Sequence, residues 1–163
     1  MIKINKKQAR EVNLGGRGGK EKLLKKVFEG IERKSESLYD AITSDGTKLE
    51  FKKQSNTQWF DAGKYYNIRK EDESIVMTFV VTSKATKERV AGEIDYIFTI
   101  PLVDFLKILT SKQKHRDDGW EWENIKTCHD QKKKYKTQQA KIKVDVRNFY
   151  NDNISRVELI WKR

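Results

Sequence analysis

SLYDAITSDGTKLEFKKQ, residues 37–54, decides how the chain is read. Two short strand-like runs, SLYDAIT and TKLEFKKQ, flank Ser44, Asp45 and Gly46, and turn-forming residues between two such runs predict a β-hairpin. Successive strand residues point to opposite faces, so Leu49 and Phe51 face a core while Glu50 and Lys52 share the other side. The turn decides what stands opposite them. A three-residue loop with Gly46 left-handed pairs position 43 with 47 and sets Asp40 directly across from Glu50. A two-residue loop of Asp45 and Gly46 would set Asp40 opposite Phe51, on the wrong face, unless a bulge restored it. In the first register two carboxylates and an ammonium converge.

Two acidic oxygens a few Å apart repel unless a hard divalent cation lies between them, and Mg²⁺ prefers one or two carboxylates together with waters and phosphate oxygens. Asp40 and Glu50 would form such a site, and Lys52 would orient a nucleophile and donate to a scissile phosphate, which is the chemistry of phosphodiester hydrolysis. The pattern E-x-K occurs a second time at Glu32 and Lys34. That copy falls in a predicted helix with no upstream Asp, where its two side chains are not expected to face each other. A D-Q-K triplet at Asp130 to Lys132 lies in a lysine-rich run without strand alternation.

Composition points the same way. Lys and Arg number 35 against 24 Asp and Glu, a net charge of +11, and such an excess favours nucleic acid as partner. The rival reading is a basic nucleic-acid-binding protein without catalysis, its hairpin acids simply solvated. At 163 residues the chain fits one domain. Its single cysteine, Cys128, excludes an internal disulfide and a Cys-rich zinc cluster and suggests a reducing compartment. His115, Cys128 and His129 are too few and too irregularly spaced for a zinc or HNH-type site. With no apolar leader in MIKINKKQAREVN and no membrane-length apolar run, a soluble, cytoplasmic protein is expected.

Outward from the hairpin, Leu23, Leu24, Val27, Phe28 and Ile31 recur at helical spacing and predict an amphipathic helix over 20–38. Its entry, GGRGGK at 15–20, matches neither the P-loop pattern nor GxGxxG and is read as a flexible helix entry. ESIVMTFVVTS, a nearly continuous apolar run, predicts a central strand covered on both faces, and EIDYIFTI a second long strand. Pro101 suits the first turn of a helix carrying Leu102, Phe105, Leu106 and Leu109 on one face and ending near Ser111. Residues 112–140 are polar and read as loop or DNA-facing surface. KIKVDVRN alternates as a strand, and VELIW offers the last one. The fold class is therefore α/β, a single domain with a mixed sheet flanked by helices.

D-x9-E-x-K, carried by Asp40, Glu50 and Lys52 in DAITSDGTKLEFK, resembles the active-site hairpin of the PD-(D/E)XK nuclease superfamily, with Tyr39 where a proline often precedes the Asp. Size and spacing are similar to the PvuII-type restriction endonucleases, homodimers that cut a short palindrome. The resemblance implies a restriction-endonuclease-like sheet and Mg²⁺, with Mn²⁺ able to substitute. It implies Asp40, Glu50 and the Phe51 carbonyl as metal ligands and Lys52 as the residue positioning the attacking water. Gly18, Gly19 and Lys20 resemble a Gly-Gly-Lys element that opens a helix ahead of the site, which makes Lys20 a DNA contact. SNTQWFDAGKYYN corresponds to a stretch approaching DNA, with Lys64, Tyr65, Tyr66 and Asn67 standing where relatives carry histidines. HDQKKKYKTQQAKIKV resembles a late base-reading loop.

Gln138 and Gln139 are the base-reading candidates, because a glutamine amide can bond an adenine edge bidentately; an ordinary polar loop is their other reading. Lys132, Lys133, Lys134 and Lys136 would contact phosphates. Tyr65, Tyr66 and Arg69 would contact DNA near the site, with core packing the competing reading for the tyrosines. Glu36 is either an accessory acid or a surface residue of the first helix. Trp59, Trp120, Trp122 and Trp161 read as core or dimer-interface anchors, and residues 1–19 as a possible dimerisation arm. The expected activity is that of a type II restriction enzyme cutting double-stranded DNA as a homodimer. A repair, phage or junction-resolving nuclease of the same superfamily is the second enzymatic reading.

Overall fold

The computed structural model describes residues 2–35, 37–112, 114–115, 118–119 and 141–163. Along them come β1 (Lys3–Ile4), α1 (Lys6–Glu11), α2 (Gly19–Lys22), which runs on into a π-helical segment Leu23–Val27, β2 (Phe28–Glu29) and β3 (Ile31–Arg33). The hairpin follows as β4 (Ala41–Thr43) and β5 (Lys48–Gln54), then β6 (Thr57–Asp61), α3 (Ala62–Glu71), β7 (Val76–Thr82), β8 (Ile94–Pro101) and α4 (Leu102–Lys112). Two short strands, β9 (Lys114–His115) and β10 (Asp118–Gly119), precede β11 (Lys141–Asp145), α5 (Val146–Asp152) and β12 (Glu158–Lys162).

Among the described residues, a six-stranded sheet runs in the order β12-β8-β7-β5-β4-β3. β5 and β7 are parallel and the other neighbours antiparallel, so the sheet is mixed, as the coarse class predicted. The apolar run of β7 explains its place: Met77 to Thr82 are all buried, with β5 on one side and β8 on the other. Joining parallel strands requires a crossover, and here it is β6 and α3. Met77, Phe79, Phe98 and Phe105 form the core under α3, α4 and α5, while Leu49, Phe51, Val80, Ile97 and Trp161 form a second core under α1 and α2. Trp161 is thus a core residue. No helix among the described residues is long and apolar enough to cross a membrane.

Several elements differ from expectation. The helix predicted over 20–38 stops at Val27. Leu23, Leu24, Val27 and Phe28 are buried as their spacing implies, but Phe28 is extended and Gly30, at φ +64°, turns the chain between β2 and β3. Glu32 and Lys34 therefore lie on extended chain and do meet, with Lys34 Nζ 2.7 Å from Glu32 Oε1. Of SLYDAIT only Ala41–Thr43 enters the ladder. SNTQWFDAGKYYN folds into β6 and the start of α3, whose N-terminus is capped by Asp61, its carboxylate accepting from the Lys64 amide at 3.1 Å. KIKVDVRN ends as a strand at Asp145, which accepts from the amides of Arg147 and Asn148 and so starts α5.

Arg147 ties α5 to the sheet. It donates to the Ser55 carbonyl at 2.9 Å, the Thr82 carbonyl at 2.8 Å and Asp95 Oδ2 at 2.7 Å. Arg147→Leu leaves two carbonyls without their donor and is expected to cost about 2 kcal/mol. Urea denaturation measures this, and an unchanged midpoint would show that water replaces the guanidinium.

Candidate active site

The turn chemistry sets the register. Gly46 takes φ +87°, the left-handed conformation a third loop residue needs, and its amide donates to the Thr43 carbonyl at 3.0 Å. Thr43 and Thr47 close the loop through Thr43 N to Thr47 O at 2.9 Å and Thr47 N to Thr43 Oγ1 at 2.9 Å. Above it Ile42 pairs with Lys48 and Ala41 with Leu49. This is the three-residue register, in which Asp40 comes level with Glu50. The Asp40 amide donates to the Leu49 carbonyl at 2.9 Å, and its own carbonyl accepts from the Lys34 amide at 2.8 Å, so the residue is held from both sides.

The side chains divide as the alternation requires. Leu49 and Phe51 enter one core, while Glu50 and Lys52 lie on the other face beside Met77 and Phe79, their partners across β7. Asp40 Oδ2 accepts from the Phe51 amide at 2.9 Å, and Oδ1 is bonded by the Lys20 ammonium. Lys52 Nζ stands 3.9 Å from Glu50 Oε1. From α3, the Tyr65 hydroxyl donates to that same oxygen at 2.8 Å. The Tyr65 ring stacks on Phe60 at 4.6 Å, and the ammonium groups of Lys52 and Lys64 lie 5.0 and 5.4 Å from its centroid.

Electrostatics follow from this packing. Burial pushes the Glu50 carboxyl above the usual carboxylate range, the nearby Asp40 charge adds to the rise, and the Tyr65 bond and Lys52 oppose it. Burial also lowers the Lys52 ammonium, against the pull of Glu50. The Tyr65 phenol is raised by burial and by the Glu50 charge, so it stays a donor. Two carboxylates are thus held where their charges oppose each other. Among the described residues no cluster of three His, Cys, Asp or Glu could hold a metal. Asp40, Glu50 and a backbone carbonyl between Glu50 and Lys52 nevertheless match what Mg²⁺ asks of a protein, one or two carboxylates with the remaining positions left to water and phosphate.

Removing the Glu50 charge relieves the strain. Glu50→Gln is expected to stabilise the metal-free protein by about 1 kcal/mol at neutral pH, or about 2–4 °C in Tm. The sign follows from the raised folded pKa: the charged form is the disfavoured one, so the penalty is present at neutral pH and fades as pH falls through the folded value. Melting curves should therefore converge in acid, and a variant less stable than the parent at neutral pH would contradict this account.

The other expected contacts are scattered more widely. Lys20 reaches Asp40 directly. Tyr65 and Tyr66 are buried, at 2% and 4% exposure, which leaves them little surface for DNA. Asn67 is half-buried on α3, and Arg69 stacks on Tyr66 at 4.9 Å and pairs with Glu73 at 3.2 Å. Glu36, Lys132, Lys133, Lys134, Lys136, Gln138, Gln139, Trp120, Trp122, Cys128 and His129 lie outside the described residues. Sequence reasoning missed the Tyr65 bond to Glu50 and the Lys20 bond to Asp40. The first had no local signal, because it depends on how the crossover docks. Comparison with family models, curated proteins and solved structures found no match.

Proposed function

We propose that the chain is a Mg²⁺-dependent endonuclease of the PD-(D/E)XK type that hydrolyses double-stranded DNA, acting as a site-specific homodimer. One observation carries this reading: the three-residue turn brings Asp40 level with Glu50 and leaves Lys52 on the same face, in a strongly basic chain. Asp40, Glu50 and the Phe51 carbonyl would hold the metal. When bound, Mg²⁺ supplies an acidified water and neutralises charge on the phosphate in the transition state. Lys52, partly desolvated beside Glu50, orients the attacking water and donates to the phosphate oxygen. Tyr65 fixes the Glu50 carboxylate in place. Lys20 gives Asp40 a mobile counter-charge, since its own side chain is 52% exposed and can leave toward a phosphate.

Supercoiled plasmid incubated with the protein in Mg²⁺, and in parallel with EDTA, tests the reading. Discrete bands in Mg²⁺ alone are expected. Nicking confined to branched substrates would replace restriction with junction resolution, and binding without cleavage in Mg²⁺ or Mn²⁺ would leave a basic DNA-binding protein.

A further inference from the structure

β12 is the sheet edge farthest from the β4–β5 hairpin, and among the described residues only β8 pairs with it. Between this edge and α1 runs a groove of about 640 Å³. Lys6, Lys7, Arg10 and Lys162 line it, all exposed, and no acidic side chain does. None of the four has an ion-pair partner among the described residues. Lys6 and Arg10, one turn apart on α1, repel each other and weaken the helix that carries them. Cations held together at a cost to their own helix fit an anionic partner. Leu159, 44% exposed, and Ile160 supply apolar surface on the same strand.

We propose that this groove binds a short, extended acidic peptide, which adds a strand to β12. Such a ligand uses all three features at once: its backbone pairs with the open edge, its carboxylates meet the four cations, and its apolar side chains cover Leu159 and Ile160. The bulge between Leu159 and Trp161 interrupts the ladder to β8 and keeps the usable edge short. A phosphodiester backbone would use the cations but leave the strand edge and Leu159 unmet. A second copy pairing edge to edge would bring identical cations together.

The probe is a fluorescein-labelled peptide of alternating glutamate and valine, titrated by anisotropy into the full chain. Saturable binding is expected. Affinity should fall about tenfold in the triple variant Lys6→Gln, Lys7→Gln, Arg10→Gln. N-methylation of alternate peptide amides should weaken binding at least as much, and this arm needs no protein variant and so does not depend on how one folds. The proposal is overturned if the unmodified peptide fails to bind or the N-methylated one binds equally well. It is also overturned if the triple variant keeps its peptide affinity but loses duplex DNA binding or, by sedimentation, self-association. Because the groove lies on a different strand from Lys52, peptide binding that persists in Lys52→Ala would stand even if the plasmid assay failed.

Discussion

Lys52→Ala should lower Mg²⁺-dependent plasmid cleavage by about 10²–10³-fold while changing DNA affinity little, because one positioned donor in a partly desolvated site contributes about that much to a phosphoryl transition state. The place of Lys52 matters here more than the number of charges. The chain holds 35 Lys and Arg, so one fewer hardly alters its attraction for DNA, yet Lys52 is the ammonium 3.9 Å from Glu50. Lys52→Arg should not rescue, since a planar fork cannot reproduce a compact ammonium there. Asp40→Ala should match Lys52→Ala in cleavage. Lys20→Ala should lose much less, because Lys20 meets Asp40 through an exposed side chain. Single-turnover cleavage alongside an equilibrium binding assay separates the two effects. A Lys52→Ala variant that cuts at the parental rate would remove the hairpin from the chemistry.

Phe79→Ala should produce the largest loss of stability, about 3–5 kcal/mol, a large part of what a domain of this size possesses. Phe79 is 1% exposed, stacks on Phe98 at 5.0 Å and tilts against Phe105 at 5.1 Å. It also pairs with Lys52 across β5 and β7, so the cavity would open beneath the site's own face. A lower urea midpoint at an unchanged slope is the expected signature. A loss under about 1 kcal/mol would mean that the aromatic cluster collapses around the vacancy.

What the sequence revealed and what it hid divide along physical lines. The hairpin was legible because turn chemistry is local, but the sequence left two registers open, and the closure of Thr43 on Thr47 selects the three-residue one. β7, β8 and α4 were legible because burial on both faces, or on one stripe, leaves an unmistakable apolar pattern. α3 was not, since AGKYYNIRKE places only Ala62, Tyr65, Tyr66 and Ile68 in the hydrophobic cluster and surrounds them with charge. α5 hid inside an alternating run, because a single cap at Asp145 outweighed the strand pattern. The predicted first helix overreached at Phe28, where apolar residues that suit a helix face equally suit strand edges.

The bond from Tyr65 to Glu50 also bears on the order of folding. Only three residues separate Thr43 from Thr47, the pair that closes the hairpin, so Asp40 and Glu50 can come into register after closing a very short loop. Their desolvation waits for β7 to align with β5 and for the crossover helix to dock, a non-local step. The two carboxylates are therefore expected to meet early and lose their water late. Relieving their repulsion, as in Glu50→Gln, then acts mainly after the folding barrier, slowing unfolding more than it speeds folding.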